Sequence, residues 1–354
     1  MMVFTVGIST ALQNCTAFKS CLTYGTKTTP DMKSSFLQTA LFALLLVAFQ
    51  DLSRSQKDQS FNDAADLNLP ELYDIGWMKS IDNNKFISDI TIPGTHDTMA
   101  LHWGSFVECQ AWSLEDQLKA GIRYLDLRVK MCKKKLKLVH GCFLQHITLP
   151  EVLSIIQTFL KDYVSEAILV RVKLENVTPN HKQDAKKLIE SFLRDNPGVE
   201  TWDESNVPSM GDVRGKIVFI QKGKFNLGIP IHGTDASGDY KVSTIDKKKE
   251  KIRNHLKEAG EMCGKGEVIL TYSSGTGLPK YALTLTPKVI AEEINPWLNE
   301  YLKDDNLKNI PCFGVIAMDF PGFDLIKRVI GLNKLKPVVL GCVGSNLSPN
   351  FKDS

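Results

Sequence analysis

Between Trp77 and Leu335, short apolar runs alternate with longer amphipathic ones, and almost every apolar run ends in charged or hydrogen-bonding residues. The runs that read as strands are ISDITIPG (87–94), IRYLDLRV (122–129), LKLVHG (136–141), AILVRVKLE (167–175), GKIVFIQKG (215–223), EVILTYSSG (267–275) and FGVIAMDFPG (313–322). The segments between them repeat apolar residues at three- and four-residue spacing, as at Val152, Ile155, Ile156 and Phe159, and carry helix-start signals. Thr148 is followed three residues later by Glu151, and Ser113 by Asp116, with Gly121 as a stop. Strands that are apolar on both faces belong to a parallel sheet covered by helices on both sides. At least six such strands follow one another with no linker, internal repeat or low-complexity segment. That predicts one α/β domain, a single TIM-type (β/α) barrel with allowance for distortion or incomplete closure. A length of 354 residues and an apolar share of 43% suffice for a core of that size.

An apolar interior does not tolerate unpaired polar groups, so the polar residues at the strand ends are informative. The first strand ends at His96 and Asp97, the second carries Asp126 and Arg128, and the third ends at His140. The fourth ends at Lys173 and Glu175, the fifth near Lys222, a later one at Tyr272, Ser273 and Ser274, and the last at Asp319. In an α/β barrel the carboxyl ends of parallel strands hold the active site. Taken singly, each residue has a plain structural reading: a turn histidine before Gly141, an Asp126–Arg128 ion pair, a loop cap at Asp319. Gathered at one rim without a function, they would destabilise the fold.

The formal charge is only +3 and forms no basic stripe, which argues against nucleic acid as a partner. The basic run KMCKKKLKL (130–138) reads as an exposed hairpin, with anionic lipid headgroups as the alternative contact. An apolar run, Phe36 to Phe49, is too short for a membrane span, which needs about 20 residues. With Met32 and Lys33 before it and small residues at Ser53 and Ser55 after it, it reads as a secretory signal peptide over 32–55, the alternative being an uncleaved anchor. Residues 1–31 are then an extension without structural meaning, 56–76 a polar tail that is mobile over Gln56 to Leu69, and 77–345 the folded domain. Beyond Cys15 and Cys21 in the leader, six cysteines remain (Cys109, Cys132, Cys142, Cys263, Cys312 and Cys342), whose pairing the sequence leaves open. No CxxC pair suggests zinc. Asn176 and Asn346 head glycosylation sequons. The expectation is a secreted glycoprotein that meets membranes from outside.

The stretches IPGTHDT, YLDLRV, LVHG, VRVKLE and MDFPG, in this order, resemble the X-box catalytic domain of phosphatidylinositol-specific phospholipases C. The first three carry most of the likeness, which spans roughly 77–335 and is strongest to the small, single-domain bacterial enzymes. The resemblance implies cleavage of phosphatidylinositol, or of a glycosylphosphatidylinositol anchor, to diacylglycerol and inositol 1,2-cyclic phosphate. His96 then matches the general base, His140 the general acid, and Asp319 the carboxylate that orients His96. Asp97 would support His140, and Asp126 would support Arg128. Arg128 stands where metal-dependent members gather a cation, which implies no metal and no cofactor.

Headgroup contacts implied by the likeness are Lys173, Glu175, Lys222, Asp239, Tyr240 and Tyr272. Lys222 replaces an arginine, and Asp239 is displaced by one position from the family pattern. Leu101, Trp103 and Phe106 offer an apolar lip for the membrane surface. The expected partner is a membrane lipid, and the expected state is a monomer. Two rival readings remain: a catalytically weak inositol-lipid-binding module, and a metal-dependent phosphodiesterase on the same barrel.

Overall fold

The computed structural model divides the chain into residues 1–57 and residues 58–354. Within the second unit it describes residues 59–175, 179–198, 200–221, 227–234, 239–307 and 309–333. The expected leader, both sequons, Lys222 and Cys342 lie outside the described residues.

In chain order the elements are β1 (Ile92–Thr95), α1 (Leu114–Lys119), β2 (Tyr124–Cys132), β3 (Lys135–His140), β4 (Phe143–Thr148), α2 (Leu149–Asp162), β5 (Ile168–Leu174) and α3 (Pro179–Asp195). There follow β6 (Thr201–Trp202), α4 (Met210–Val213), β7 (Ile217–Gln221), β8 (Ile229–Gly233), α5 (Ile245–Met262), β9 (Val268–Tyr272), α6 (Pro287–Tyr301), β10 (Val315–Met318) and α7 (Phe323–Gly331). The helix starts read from the sequence form as capping chemistry requires. Ser113 Oγ accepts from the Asp116 amide, and Thr148 and Glu151 complete a capping box.

Seven parallel strands close into a barrel in the order β1-β10-β9-β8-β7-β5-β2, with β2 returning to β1. Closure is thin at two seams. β1 meets β2 only through Gly94↔Tyr124 and Thr95↔Leu125, and β7 meets β8 only through Ile220↔Ile229 and Gln221↔Pro230. The lower part of that second seam is taken by the short β6, paired with Ile217 and Val218. A Cβ on Gly94 would lie 2.5 Å from Tyr124 Cδ1. The glycine of IPGTHD is therefore what lets the buried Tyr124 side chain lie against β1.

Three expectations change. The stretch from Ile87 is not strand throughout, because Ile87–Asp89 forms a 3-10 turn ahead of β1. His140 does not end a parallel barrel strand. At nine residues, β2 overshoots the four-residue β1, and its free end pairs antiparallel with β3, Val129 opposite Leu138 and Cys132 opposite Lys135. Lys133 and Lys134 make the turn with φ of 48° and 63°, the left-handed twist that a two-residue hairpin needs. The basic run is the expected hairpin, and His140 ends its returning arm. Lastly, the start of the polar stretch makes fixed contacts with the barrel. Ser60 is fully buried, Phe61 bridges Pro321, and the Asn62 amide donates to Phe320 O.

Five elements escaped the sequence reading, β4, β6, α4, β8 and α5, and the last two have a clear physical reason. Pro230 interrupts β8, and proline argues against a strand wherever it would have to donate to the ladder. Charge dominates α5, whose apolar face is reduced to Ile252, Leu256 and Ala259 with His255. At the amino end of the strands, Arg123 and Glu166 form a fully buried pair at 2.9 Å, and Arg123 also donates to Leu118 O, Ile122 O and Ile75 O. One pairing of the six cysteines is now fixed, Cys263 with Cys312, while Cys109, Cys132 and Cys142 are free thiols.

Candidate active site

His96 follows β1 and Asp319 follows β10, which are neighbours in the ring. The residue after or at each turn, Asp97 and Phe320, takes a left-handed backbone (φ 43° and 45°), so the chain turns sharply at both strand ends. Two amide side chains pin these ends. Gln110 Nε2 donates to His96 O and Met318 O, and Asn295 Nδ2 donates to Asp319 O and Phe320 O. Thus held, Asp319 Oδ1 stands 2.8 Å from His96 Nδ1, and Arg128 Nη2 stands 2.6 Å from His96 Nε2. A guanidinium only donates, so Nε2 accepts and the ring proton sits on Nδ1, donated to Asp319.

Arg128 lies between two carboxylates, with Nε 2.8 Å from Asp97 Oδ1 and Nη2 3.3 Å from Asp126 Oδ2. Burial works against its charge, but Asp97 and then Asp126 outweigh that and raise its pKa, so it is a fixed cation. Burial alone would raise the Asp126 carboxyl, yet Arg128 and Arg171 hold it well below its ordinary range. Arg171 Nη1 also donates to the Tyr272 hydroxyl, whose pKa burial raises. The Tyr272 ring in turn stands edge-on to His96, 5.5 Å between centroids.

His140 Nδ1 lies 2.6 Å from the Val107 carbonyl, which can only accept, so Nδ1 carries a proton there. That leaves Nε2 to face the site, 3.4 Å from Asp97 Oδ2. Nε2 of His96 is 3.5 Å from the same oxygen. Asp97 therefore touches both histidines and Arg128, although the resemblance assigned it to His140 alone. The hairpin return, not a barrel strand, carries His140 to this point.

These groups open into a cavity of about 750 Å³, a volume that suits a small-molecule headgroup. Lys173, Glu175, Asp239, Tyr240 and Tyr272 line it with His96, Arg128 and His140. Lys173 and Glu175 pair at 2.7 Å. The Asp239 carboxylate is engaged by Lys251 and His255 of α5, at 2.7 and 3.1 Å. Tyr240 is 53% exposed, with Lys241 Nζ 5.7 Å from its ring centroid. Of the apolar lip, Trp103 and Phe106 are exposed, but Leu101 packs against the core. Trp103 Nε1 donates to Leu144 O, and its ring lies 6.0 Å from the exposed Phe143, so the β3–β4 turn extends the lip.

Sequence reasoning passed over Arg171, Cys109, Gln110 and Asn295. Arg171 was within reach, since it precedes Lys173 by two residues on β5 and strand alternation puts both on one face. Gln110 and Asn295 lie in a loop and a helix, and no spacing points to them.

Fold and site together define a parallel α/β barrel with an acid–base centre built around a fixed guanidinium. Residues 84–223 match the family model described as phosphatidylinositol-specific phospholipase C, X domain. It is 28% identical over 280 residues to the 1-phosphatidylinositol phosphodiesterase of Listeria monocytogenes, covering 73% of this chain and 84% of that one. The enzyme of the same name from Staphylococcus aureus is 24% identical over 303 residues, 73% of this chain and 94% of its own. The solved structure of the phosphatidylinositol-specific phospholipase C from Listeria monocytogenes superposes with a TM-score of 0.63 at 26% identity, covering 74% of this chain and all of that one.

Proposed function

We propose that this chain cleaves phosphatidylinositol, or the inositol phospholipid of a glycosylphosphatidylinositol anchor, by attack of the inositol 2-hydroxyl on the neighbouring phosphorus. The observation that carries the reading is the row Asp319–His96–Arg128. It leaves the His96 Nε2 lone pair beside a fixed positive charge in a ligand-sized cavity. Arg128 Nη2 leaves His96 Nε2 to donate to the phosphate, and the 2-hydroxyl gives its proton to the freed Nε2 as its oxygen bonds to phosphorus. Arg128 balances the charge that grows on the phosphoryl oxygens. The bond to the glyceryl oxygen breaks, and that oxygen takes a proton from the imidazolium form of His140. Asp97, beside His140 Nε2, stabilises that imidazolium. Products are diacylglycerol and inositol 1,2-cyclic phosphate.

Arg128 fills the space between Asp97 and Asp126 as a fixed cation, and the step as drawn requires no metal. Lys173 and Tyr240 face the headgroup, and Trp103 and Phe106 meet the bilayer, as their positions on the cavity wall and rim support. The leader pattern over 32–55 supports release from the cell, where the chain would meet outer-leaflet lipid. The test is incubation with phosphatidylinositol vesicles and with an anchored protein in excess chelator, followed by phosphorus NMR. A cyclic phosphodiester signal is expected. Turnover that EDTA abolishes would refute the metal-free mechanism, and full activity in His96→Ala or His140→Ala would refute the residue assignment.

A further inference from the structure

Cys109 has no part in that reaction, yet its buried thiol is in the cavity wall. Its sulfur, a ring nitrogen of His96 and a carboxylate oxygen of Asp97 all lie within 4.8 Å of one another. We propose that these three groups form an inhibitory site for a borderline-soft divalent cation of the zinc class. The proposal rests on His96 being the catalytic base.

Several observations meet here. Asp97 is 2% exposed and its Oδ2 receives no hydrogen bond, although it points toward both catalytic histidines. His96 already donates Nδ1–H to Asp319, and a carboxylate behind the imidazole is the arrangement that orients a metal-binding histidine through its other nitrogen. The carboxylates Asp97 and Asp319 both stand against His96, so negative charge is gathered at the ring that would hold the cation. One sulfur, one nitrogen and one oxygen are donors for Zn²⁺, Co²⁺ or Cd²⁺, whereas Mg²⁺ and Ca²⁺ require oxygen shells. The thiol's hydrogen bond, to Val107 O at 3.7 Å, is weak and easily given up.

As the metal binds, the S–H bond breaks and its proton passes to solvent, while the sulfur pair goes to the metal. Asp97 supplies an oxygen and His96 its Nε2 pair. Arg128 Nη2, now against that nitrogen, swings aside. His96 then has no lone pair for the substrate hydroxyl, and turnover stops.

Two measurements on the full chain test this. With Co²⁺ as the probe, a thiolate-to-cobalt absorption band should appear in the near ultraviolet. It should vanish in Cys109→Ser and Cys109→Ala and persist in Cys132→Ser and Cys142→Ser. Phosphatidylinositol turnover should be inhibited by Zn²⁺, recover with EDTA, and ignore equal Mg²⁺ or Ca²⁺. Cys109→Ser should need about tenfold more Zn²⁺ or greater for the same inhibition. Absence of the band from the wild type overturns the site, as does its retention in both Cys109 variants or unchanged Zn²⁺ sensitivity in Cys109→Ser. Should those variants not fold, His96→Ala must weaken cobalt affinity, and an unchanged affinity refutes the proposal. If the chain proves inactive on phosphatidylinositol, the functional reading falls while the cobalt band still decides the site.

Discussion

Arg128 has the most demanding position of any single residue. It touches Asp97, Asp126 and His96 at once, and only a planar fork of donors can do so. Arg128→Ala should lower kcat by on the order of 100-fold to 1,000-fold, with Arg128→Lys restoring only part, measured as steady-state release of the cyclic phosphate. Asp126 links this residue to Arg171, and its depressed pKa has a definite consequence. A carboxylate held below its unfolded value stabilises the fold fully above about pH 4 and loses that contribution as pH falls through the depressed folded value. The difference in thermal midpoint between wild type and Asp126→Asn should therefore be constant from neutral pH down to about pH 5 and shrink in stronger acid. A gap that widened toward acid would contradict the ion-pair assignment.

Strand ends and a hairpin set the geometry at the next scale. β1 and β10 deliver His96 and Asp319 to adjacent positions, but the backbones that carry them turn sharply and need holding. Gln110, with both its amide bonds on these turns, is a positioning residue. Gln110→Ala should lower kcat more than it raises KM, and should cost about 1–3 kcal/mol of stability by removing the partner of the His96 carbonyl, Met318 O keeping the His96 amide. A pure stability loss with normal kcat would show that the amide only holds the fold. The β2–β3 hairpin makes the other contribution at this scale. Because β2 outruns its neighbours, His140 arrives from above on an antiparallel arm. Its height is set by the two-residue lysine turn, not by the ring.

Across the whole molecule, chemistry and stability sit at opposite ends of the same strands. The carboxyl ends hold the reactive groups, while the amino ends hold the buried Arg123–Glu166 pair, which ties Ile75, Leu118 and Ile122 together through their carbonyls. Arg123→Ala leaves Glu166 buried and charged without its ion-pair partner, held only by the Met78 amide and the Ser165 hydroxyl, so it should cost about 3–5 kcal/mol. Chemical denaturation should show that loss, with kcat near normal wherever the chain remains folded. The packed strap at residues 59–63 crosses to the other side of this division, since it lies against Phe320 and Pro321 directly after Asp319.

The sequence by itself determined the architecture and marked most of the candidate site. Apolar strands alternating with capped helices admit few folds besides a helix-covered parallel sheet, and the polar residues at strand ends marked His96, Asp97, Asp126, Arg128, His140 and Asp319 before any geometry was known. Each of those signals is local, carried by residues within a few positions of one another. The tertiary structure alone decided what depends on distant segments meeting. It brought Asp97 against both histidines, turned the Asp239 carboxylate onto Lys251 and His255, and set Cys109 beside His96. It also revealed β8 behind Pro230 and the return of His140 on a hairpin. The physical reason is that ring closure and strand overhang are properties of pairing across the whole sheet, which no window along the chain contains.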